Sequence, residues 1–395
     1  MQKKDSHISD SECPVQKIKM ADPHFSIEDR KWIHREIDAI LDGALSMGPN
    51  VQAFEREFAA RVSVKHAIAM NSCTSVLEAA LLAKGIRGCE VIVPAETFIA
   101  TGMAVHLVGG IPVFAEISPS TLCLDLEDVK RRVTPTTAGV IIVHMAGFIT
   151  PDIFAFRQFC DDRGLFLIED AAHSPGARLG DREAGSFGHA GCFSFFPTKV
   201  ITSGEGGMLT TDDDLVADFA RSFQHRGRDM QSSNEQYVIP ARNVRMTEMS
   251  ALLGRVQLSH LDEFLNRRRQ LANVYAHELS GQEDFVLILP EKLENSSFWK
   301  VPLLLNFRLD RVLITQHMSN AGVDVDWAYQ PALHLQPVFR ALYGTTEGML
   351  PTTEDILSRH LCLPCHPRMT DQDAIYVATT LKQVIKNLNK TRRKS

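Results

Sequence analysis

The run Ser194-Phe195-Phe196-Pro197-Thr198-Lys199 sets one lysine in an apolar, aromatic stretch. A small, glycine-rich segment follows it, Ile201-Thr202-Ser203-Gly204-Glu205-Gly206-Gly207. Burying a lysine disfavours its charged form, and the neutral amine is a nucleophile. Upstream, Asp170 closes the apolar run Leu165-Phe166-Leu167-Ile168. A carboxylate at the end of an apolar strand sits on the edge where open α/β sheets bind ligands. The pair suggests a site built for an aldehyde cofactor. Lys199 would hold pyridoxal phosphate as a Schiff base, and Asp170 would face the pyridinium nitrogen and keep it protonated. Taken singly, each residue has a plainer explanation: a surface lysine after a strand, and an aspartate capping a loop.

A phosphate needs clustered donors. Asn71-Ser72-Cys73-Thr74-Ser75 precedes an apolar helical run, so the hydroxyls of Thr74 and Ser75 and the helix N-terminus form a plausible cup. An ordinary Ser/Thr N-cap would look the same. Ser194 could add a hydroxyl to that cup. Phe98, in Pro94-Ala95-Glu96-Thr97-Phe98, could stack on the cofactor ring, although a lone Phe is more often core. His173, in Asp170-Ala171-Ala172-His173, could hydrogen-bond the ring hydroxyl or flank it, although a lone His is more often structural.

The elements that must position these residues alternate. Helical spacing marks Ile27–Leu41, Thr74–Ala83 and 153–163. Apolar β-type runs fall at 90–93, 111–114, 139–143, 165–168, 191–196 and 207–210. Runs this apolar, with helices between them, predict a largely parallel sheet covered on both faces. Near residue 260 the character changes. A long charged helical pattern over 261–279 could cross between domains. A β-type run at 301–305 and helical patterns at 311–321 and 371–388 follow. The expected organisation is a disordered lead over 1–24, a large α/β domain over 25–260 and a smaller α+β domain over 261–395.

The 395 residues carry 42 basic and 48 acidic side chains, a formal charge of -6. That balance argues against a nucleic-acid partner. There is no apolar run long enough to span a membrane and no apolar core in the N-terminal lead, so a cytoplasmic location is expected. The eight cysteines are scattered, as reduced thiols would be. Cys362-Leu363-Pro364-Cys365-His366 matches a haem-attachment pattern, but nothing else points to haem, and no second ligand pair suggests zinc.

In this order along an α/β chain, the set resembles the DegT/DnrJ/EryC1/StrS family of pyridoxal-phosphate-dependent sugar aminotransferases. The likeness runs from about Phe25 to the last helix. It is carried by Asn71-Ser72-Cys73-Thr74-Ser75-Val76-Leu77, Pro94 to Thr101, Glu169-Asp170-Ala171-Ala172-His173, Cys192 to Lys199, Gly204-Glu205-Gly206-Gly207, Asn243 to Glu248, and Leu333-His334-Leu335-Gln336-Pro337. The resemblance implies the aspartate aminotransferase fold (fold type I). It implies Lys199 as the Schiff-base lysine, Asp170 as the pyridinium partner and His173 at the ring hydroxyl. Thr74, Ser75 and Ser194 would contact the phosphate, Phe98 would stack on the ring, and His334 is a candidate substrate contact. Asn243 would reach the phosphate of a neighbouring subunit's cofactor, which implies a two-fold homodimer with shared sites.

Two departures stand out. Cys73 occupies a place where the family usually has glycine, and Val143-His144-Met145-Ala146-Gly147-Phe148 is less polar than its counterpart. The implied reaction moves an amino group from glutamate or glutamine to a keto sugar. The Ile201–Gly207 run is similar to that of members aminating C4 of nucleotide-linked keto-deoxysugars. A keto-inositol or keto sugar acid would need the same residues. A non-transaminating pyridoxal-phosphate enzyme and a regulatory protein on this fold are the other classes. No dinucleotide or Walker loop is present.

Overall fold

The computed structural model describes residues 17–307 and 309–392. The first five strands are β1 (His66–Met70), β2 (Glu90–Pro94), β3 (Ile111–Ala115), β4 (Thr137–Val143) and β5 (Phe166–Asp170). A small hairpin of β6 (Arg178–Leu179) and β7 (Arg182–Glu183) precedes β8 (Ala190–Ser194) and β9 (Gly207–Thr211). Seven of them form one sheet in the order β1-β9-β8-β5-β4-β2-β3. Pairings from β3 through β8 are parallel, and β9 runs antiparallel to both β8 and β1.

Side chains alternate between two cores. On β4, Ile142 faces one and Ile141 the other; on β5, Leu167 and Ile168 divide the same way. Successive strand residues point to opposite faces, so runs without polar residues are what a doubly covered sheet requires. That is the mostly parallel, helix-covered architecture read from the sequence.

A second, three-stranded antiparallel sheet contains β10 (Phe285–Leu287), β11 (Val301–Leu305) and β12 (His360–Leu363). Helices Leu261–Glu278 and Asp371–Arg392 supply Leu271, Tyr275, Val377 and Leu381 to its core. The long helix bridges the two cores, because its early residues Leu261, Phe264 and Leu265 belong to the large-sheet core. The chain also returns to the large sheet after residue 330, burying Leu333, Phe339 and Leu357 against it.

One expectation needs correction. The lead is not disordered over 17–24: Ile18 is buried and its backbone bonds Gly322 and Asp324. The rest of that expectation, residues 1–16, lies outside the described residues. Strand β1 has no counterpart in the sequence pattern, because His66-Ala67-Ile68-Ala69-Met70 holds one β-branched residue. Its pairing with β9, from His66 opposite Thr211 to Met70 opposite Gly207, makes it a strand. Helix Pro49–Val62 likewise lacks a side-chain cap at Gly48. The Glu248 carboxylate supplies one from afar, accepting the amides of Gly48, Asn50 and Val51 at 2.9, 2.7 and 3.0 Å. Among the described residues no helix is long and apolar enough to cross a membrane.

Candidate active site

The carboxyl ends of β1, β2, β5 and β8 converge on one edge of the large sheet, where such sheets bind ligands. A cavity of about 700 Å³ opens there, lined among others by Thr74, Phe98, Asp170, Ser194 and Lys199. Beyond β1 the chain turns into helix Cys73–Ala83, whose N-cap Ser72 accepts the Ser75 amide at 3.2 Å. Gly207, at the start of β9, lets this turn approach. A Cβ there would lie 2.5–2.6 Å from the backbone of Ser72 and Cys73. Ser72, Thr74 and the start of this helix line the cavity together with Ser194, a set of donors of the kind that suits a phosphate.

Asp170 ends β5 and is buried. Its Oδ2 accepts the Thr101 hydroxyl at 2.8 Å and its Oδ1 the Ala172 amide at 3.3 Å. Burial raises its pKa, opposed by the Thr101 hydrogen bond and the nearby Lys199 charge. Lys199 follows the Phe196-Pro197-Thr198 turn. Burial lowers its pKa from 10.5 to about 8, with Asp170 opposing the shift and Lys300 adding to it. A poised amine and a buried carboxylate thus share one cavity. The Cys73 thiol lies close to both, and burial holds its pKa well above the ordinary value, so it stays neutral.

The wall opposite is aromatic. His173 Nε2 is 2.8 Å from the Tyr329 hydroxyl, and its ring stacks on Trp299 with centroids 3.9 Å apart and planes 12° from parallel. Burial holds the His173 pKa well below the usual value, so the ring that hydrogen-bonds Tyr329 is neutral. Tyr329 and Trp299 line the cavity, and Phe98 meets Tyr329 at 5.7 Å between ring centroids. Lys199 Nζ stands 4.5 Å from the centre of the Trp299 ring.

Not every nominated residue arrives. His173 backs the wall through Tyr329 and Trp299 and does not itself line the cavity. Ser75 turns away, its hydroxyl donating to Asn71 Oδ1 at 2.8 Å. Asn243 is exposed, in a bridge opposite His225, and lines no part of its own chain's cavity. His334 is buried, with Nε2 2.9 Å from Glu354. That carboxylate also accepts the amides of Gly348 and Leu350. His334 therefore holds a loop and does not line this chain's cavity. Cys362 and Cys365 are buried, and no group of three or more metal-ligating residues occurs among the described residues.

Trp299, Lys300, Asp326 and Tyr329 all line the cavity and were not nominated from the sequence. Phe298-Trp299-Lys300 did carry a signal, since it sets a lysine beside one of three tryptophans at the start of an apolar strand. The sequence could not show that this strand start folds against Lys199. Thr101 was inside a quoted block without a role; its hydroxyl orients Asp170.

Fold and site together define an α/β protein whose cavity brings a lysine amine, a buried carboxylate and a helix N-terminus together. Residues 28–382 match the DegT/DnrJ/EryC1/StrS aminotransferase family, and the chain belongs to it. It is 35% identical over 375 residues to the spore coat polysaccharide biosynthesis protein SpsC of Bacillus subtilis (strain 168), covering 90% of this chain and 95% of that protein. It is 32% identical over 374 residues to the GDP-perosamine synthase of Vibrio cholerae, covering 92% and 98%. The crystal structure of S. venezuelae DesV in complex with a ketimine intermediate superposes with a TM-score of 0.87 at 30% identity, covering 93% of this chain and 98% of that one.

Proposed function

We propose that the protein moves an amino group from an amino acid, glutamate or glutamine, to a nucleotide-linked 4-keto-6-deoxysugar, with pyridoxal phosphate held by Lys199. The observation that carries this is the pairing of Lys199, with its pKa lowered to about 8, and the buried Asp170 in one cavity. When bound, pyridoxal phosphate supplies the aldehyde that carries the amino group and the ring that draws electrons from the substrate carbon. Ser72, Thr74 and Ser194 would bind its phosphate, and Asp170 would hold a proton on its ring nitrogen. The Lys199 amine would take the proton from the amino donor's α-carbon and act as the general acid and base of the transfer. The same groups act in reverse order on the keto sugar. Tyr329, fixed by His173, and Phe98 exclude water from the reacting face.

The sugar assignment draws on the likeness to GDP-perosamine synthase and on the Ile201–Gly207 run. A homodimer with shared sites is part of the proposal. Asn243 supports it, being exposed and away from its own chain's cavity.

The test is the absorbance spectrum of the purified protein with pyridoxal phosphate. A visible band should form, disappear on adding glutamate and return on adding the keto sugar. Borohydride should fix the label on Lys199. A protein that stays colourless, or is labelled at another lysine, would overturn the reading.

A further inference from the structure

A transaminating cavity faces an awkward demand. It must hold an anionic amino acid and then, in the same space, a sugar ring that carries no charge where the reaction occurs. The carboxylate of an α-amino acid is attached one carbon from the amine, so its partner must stand near Lys199. Arginine is the usual choice for a carboxylate, because its planar fork makes two parallel hydrogen bonds. Among the described residues that this chain itself supplies to the lining there is no arginine, but there is a fixed lysine, Lys300.

The indole of Trp299 shows what stands in its place. His173 covers one face of the ring, nearly parallel at 3.9 Å. Lys199 Nζ and Lys300 Nζ lie over the same ring at 4.5 and 4.3 Å from its centroid. Both nitrogens thus gather at the one indole that His173 stacks on. Lys300 is held there: its side chain is 11% exposed and its Nζ donates to Asp326 Oδ2 at 2.6 Å. The ammonium has three donors, and Asp326 takes one. Lys19, the remaining lysine of the lining, is exposed on the N-terminal segment and lacks this fixing.

We propose that Lys300 binds the α-carboxylate of the amino donor, with Asp326 as the counter-ion that neutralises it when the sugar replaces the donor. The proposal rests on the aminotransferase reading and deepens it. Asp326 suits the second role, since it already pairs with Lys300 at 2.6 Å and both residues line the cavity. To a sugar, the pair as a whole presents no net charge. The one cavity thereby serves a carboxylate and a polyol in turn. Lys300 has a second consequence: its charge helps lower the pKa of Lys199.

The test uses the holoenzyme and 2-methylglutamate, which keeps both carboxylates but has no α-hydrogen and cannot complete transfer. Calorimetry gives its affinity without turnover. Lys300→Met should weaken binding by about 10- to 100-fold, the loss of one charge-assisted hydrogen bond. Lys300→Arg should restore most of it. Asp326→Asn, which frees the ammonium, should tighten binding and keeps the test open should Lys300→Met fail to fold. Wild-type preference for glutamine over isoglutamine, whose α-carboxylate is amidated, should vanish in Lys300→Met. In the cofactor-free protein, the pH midpoint for acylation of Lys199 should move upward in Lys300→Met.

Unchanged 2-methylglutamate affinity in Lys300→Met, or weaker binding in Asp326→Asn, would overturn the proposal. So would a Lys300→Met protein that binds 2-methylglutamate normally and loses only a keto sugar acid. In each of these cases a wild-type band that forms and responds to glutamate leaves the aminotransferase reading standing. A wild-type holoenzyme that forms no such band overturns both.

Discussion

Lys199 differs from a surface lysine in its pKa, which its surroundings lower from 10.5 to about 8. Burial is the main cause, and the same burial costs stability. In the unfolded chain the amine keeps its proton up to 10.5, so between about 8 and 10.5 the unfolded state binds more protons. Stability from this residue therefore rises with pH across that window, and the penalty is fully present below it. Lys199→Met removes the term. Its stabilising effect, measured by urea unfolding, should be largest below pH 8 and fade toward pH 10.5. A difference that stays flat over that range would show that the amine is not perturbed. The rate at which cofactor-free protein takes up pyridoxal phosphate should climb with pH through about 8 and level off above it, because only the neutral amine attacks.

At the scale of elements, the site is a set of strand ends brought to one edge, and much of that was legible. The apolar runs that became β2, β4, β5 and β8 and the polar start of helix Cys73–Ala83 were all readable, because period and composition are local properties. What escaped depends on distant partners. Strand β1 exists by pairing with β9, and the Trp299–Lys300 pair reaches Lys199 only because β11 begins beside the large sheet. Arg268 fixes that junction. It is buried on the long helix and its guanidinium donates to the carbonyls of Phe298, Trp299 and Cys365. Its place in Arg267-Arg268-Arg269 reads as a solvated charge run, which is why the sequence hid it. Arg268→Met should cost about 3–4 kcal/mol by leaving buried acceptors unpaired. It should also shift the cofactor's absorbance by loosening Trp299, which urea titration and a spectrum together would reveal. Gly207→Ala tests the opposite wall. Its new Cβ would strike the backbone of Ser72 and Cys73 at 2.5–2.6 Å. Overpacking of this kind costs about 1–3 kcal/mol. Because the displaced turn is the proposed phosphate cup, affinity for pyridoxal phosphate should fall by at least about tenfold, the equivalent of one lost charge-assisted hydrogen bond. A Gly207→Ala protein with normal cofactor affinity would place the phosphate elsewhere.

At the scale of the whole molecule, Asn243 poses the sharpest question. It belongs to one of the blocks that carry the family resemblance, yet it lies exposed beside His225 and outside the cavity of its own chain. Exposed apolar side chains lie on the segment that leads to it, Met230, Tyr237 and Val238 among them. Both facts make sense if a second copy of the chain covers this surface and receives Asn243 at its phosphate cup. Each site would then be built from Lys199 of one subunit and Asn243 of the other. That arrangement predicts complementation. Lys199→Ala should be inactive and Asn243→Ala strongly impaired through cofactor loss. If the two are unfolded, mixed in equal amounts and refolded together, half of the dimers should be mixed ones. In each mixed dimer one site carries both substitutions and the other carries neither. The mixture should recover about a quarter of wild-type activity, all of it in the mixed species. Tagging one variant and isolating the mixed dimer should concentrate that activity, to about half per dimer. If Asn243 served only its own chain, every site in every mixed dimer would keep one defect, and mixing would recover nothing beyond the average of the parents.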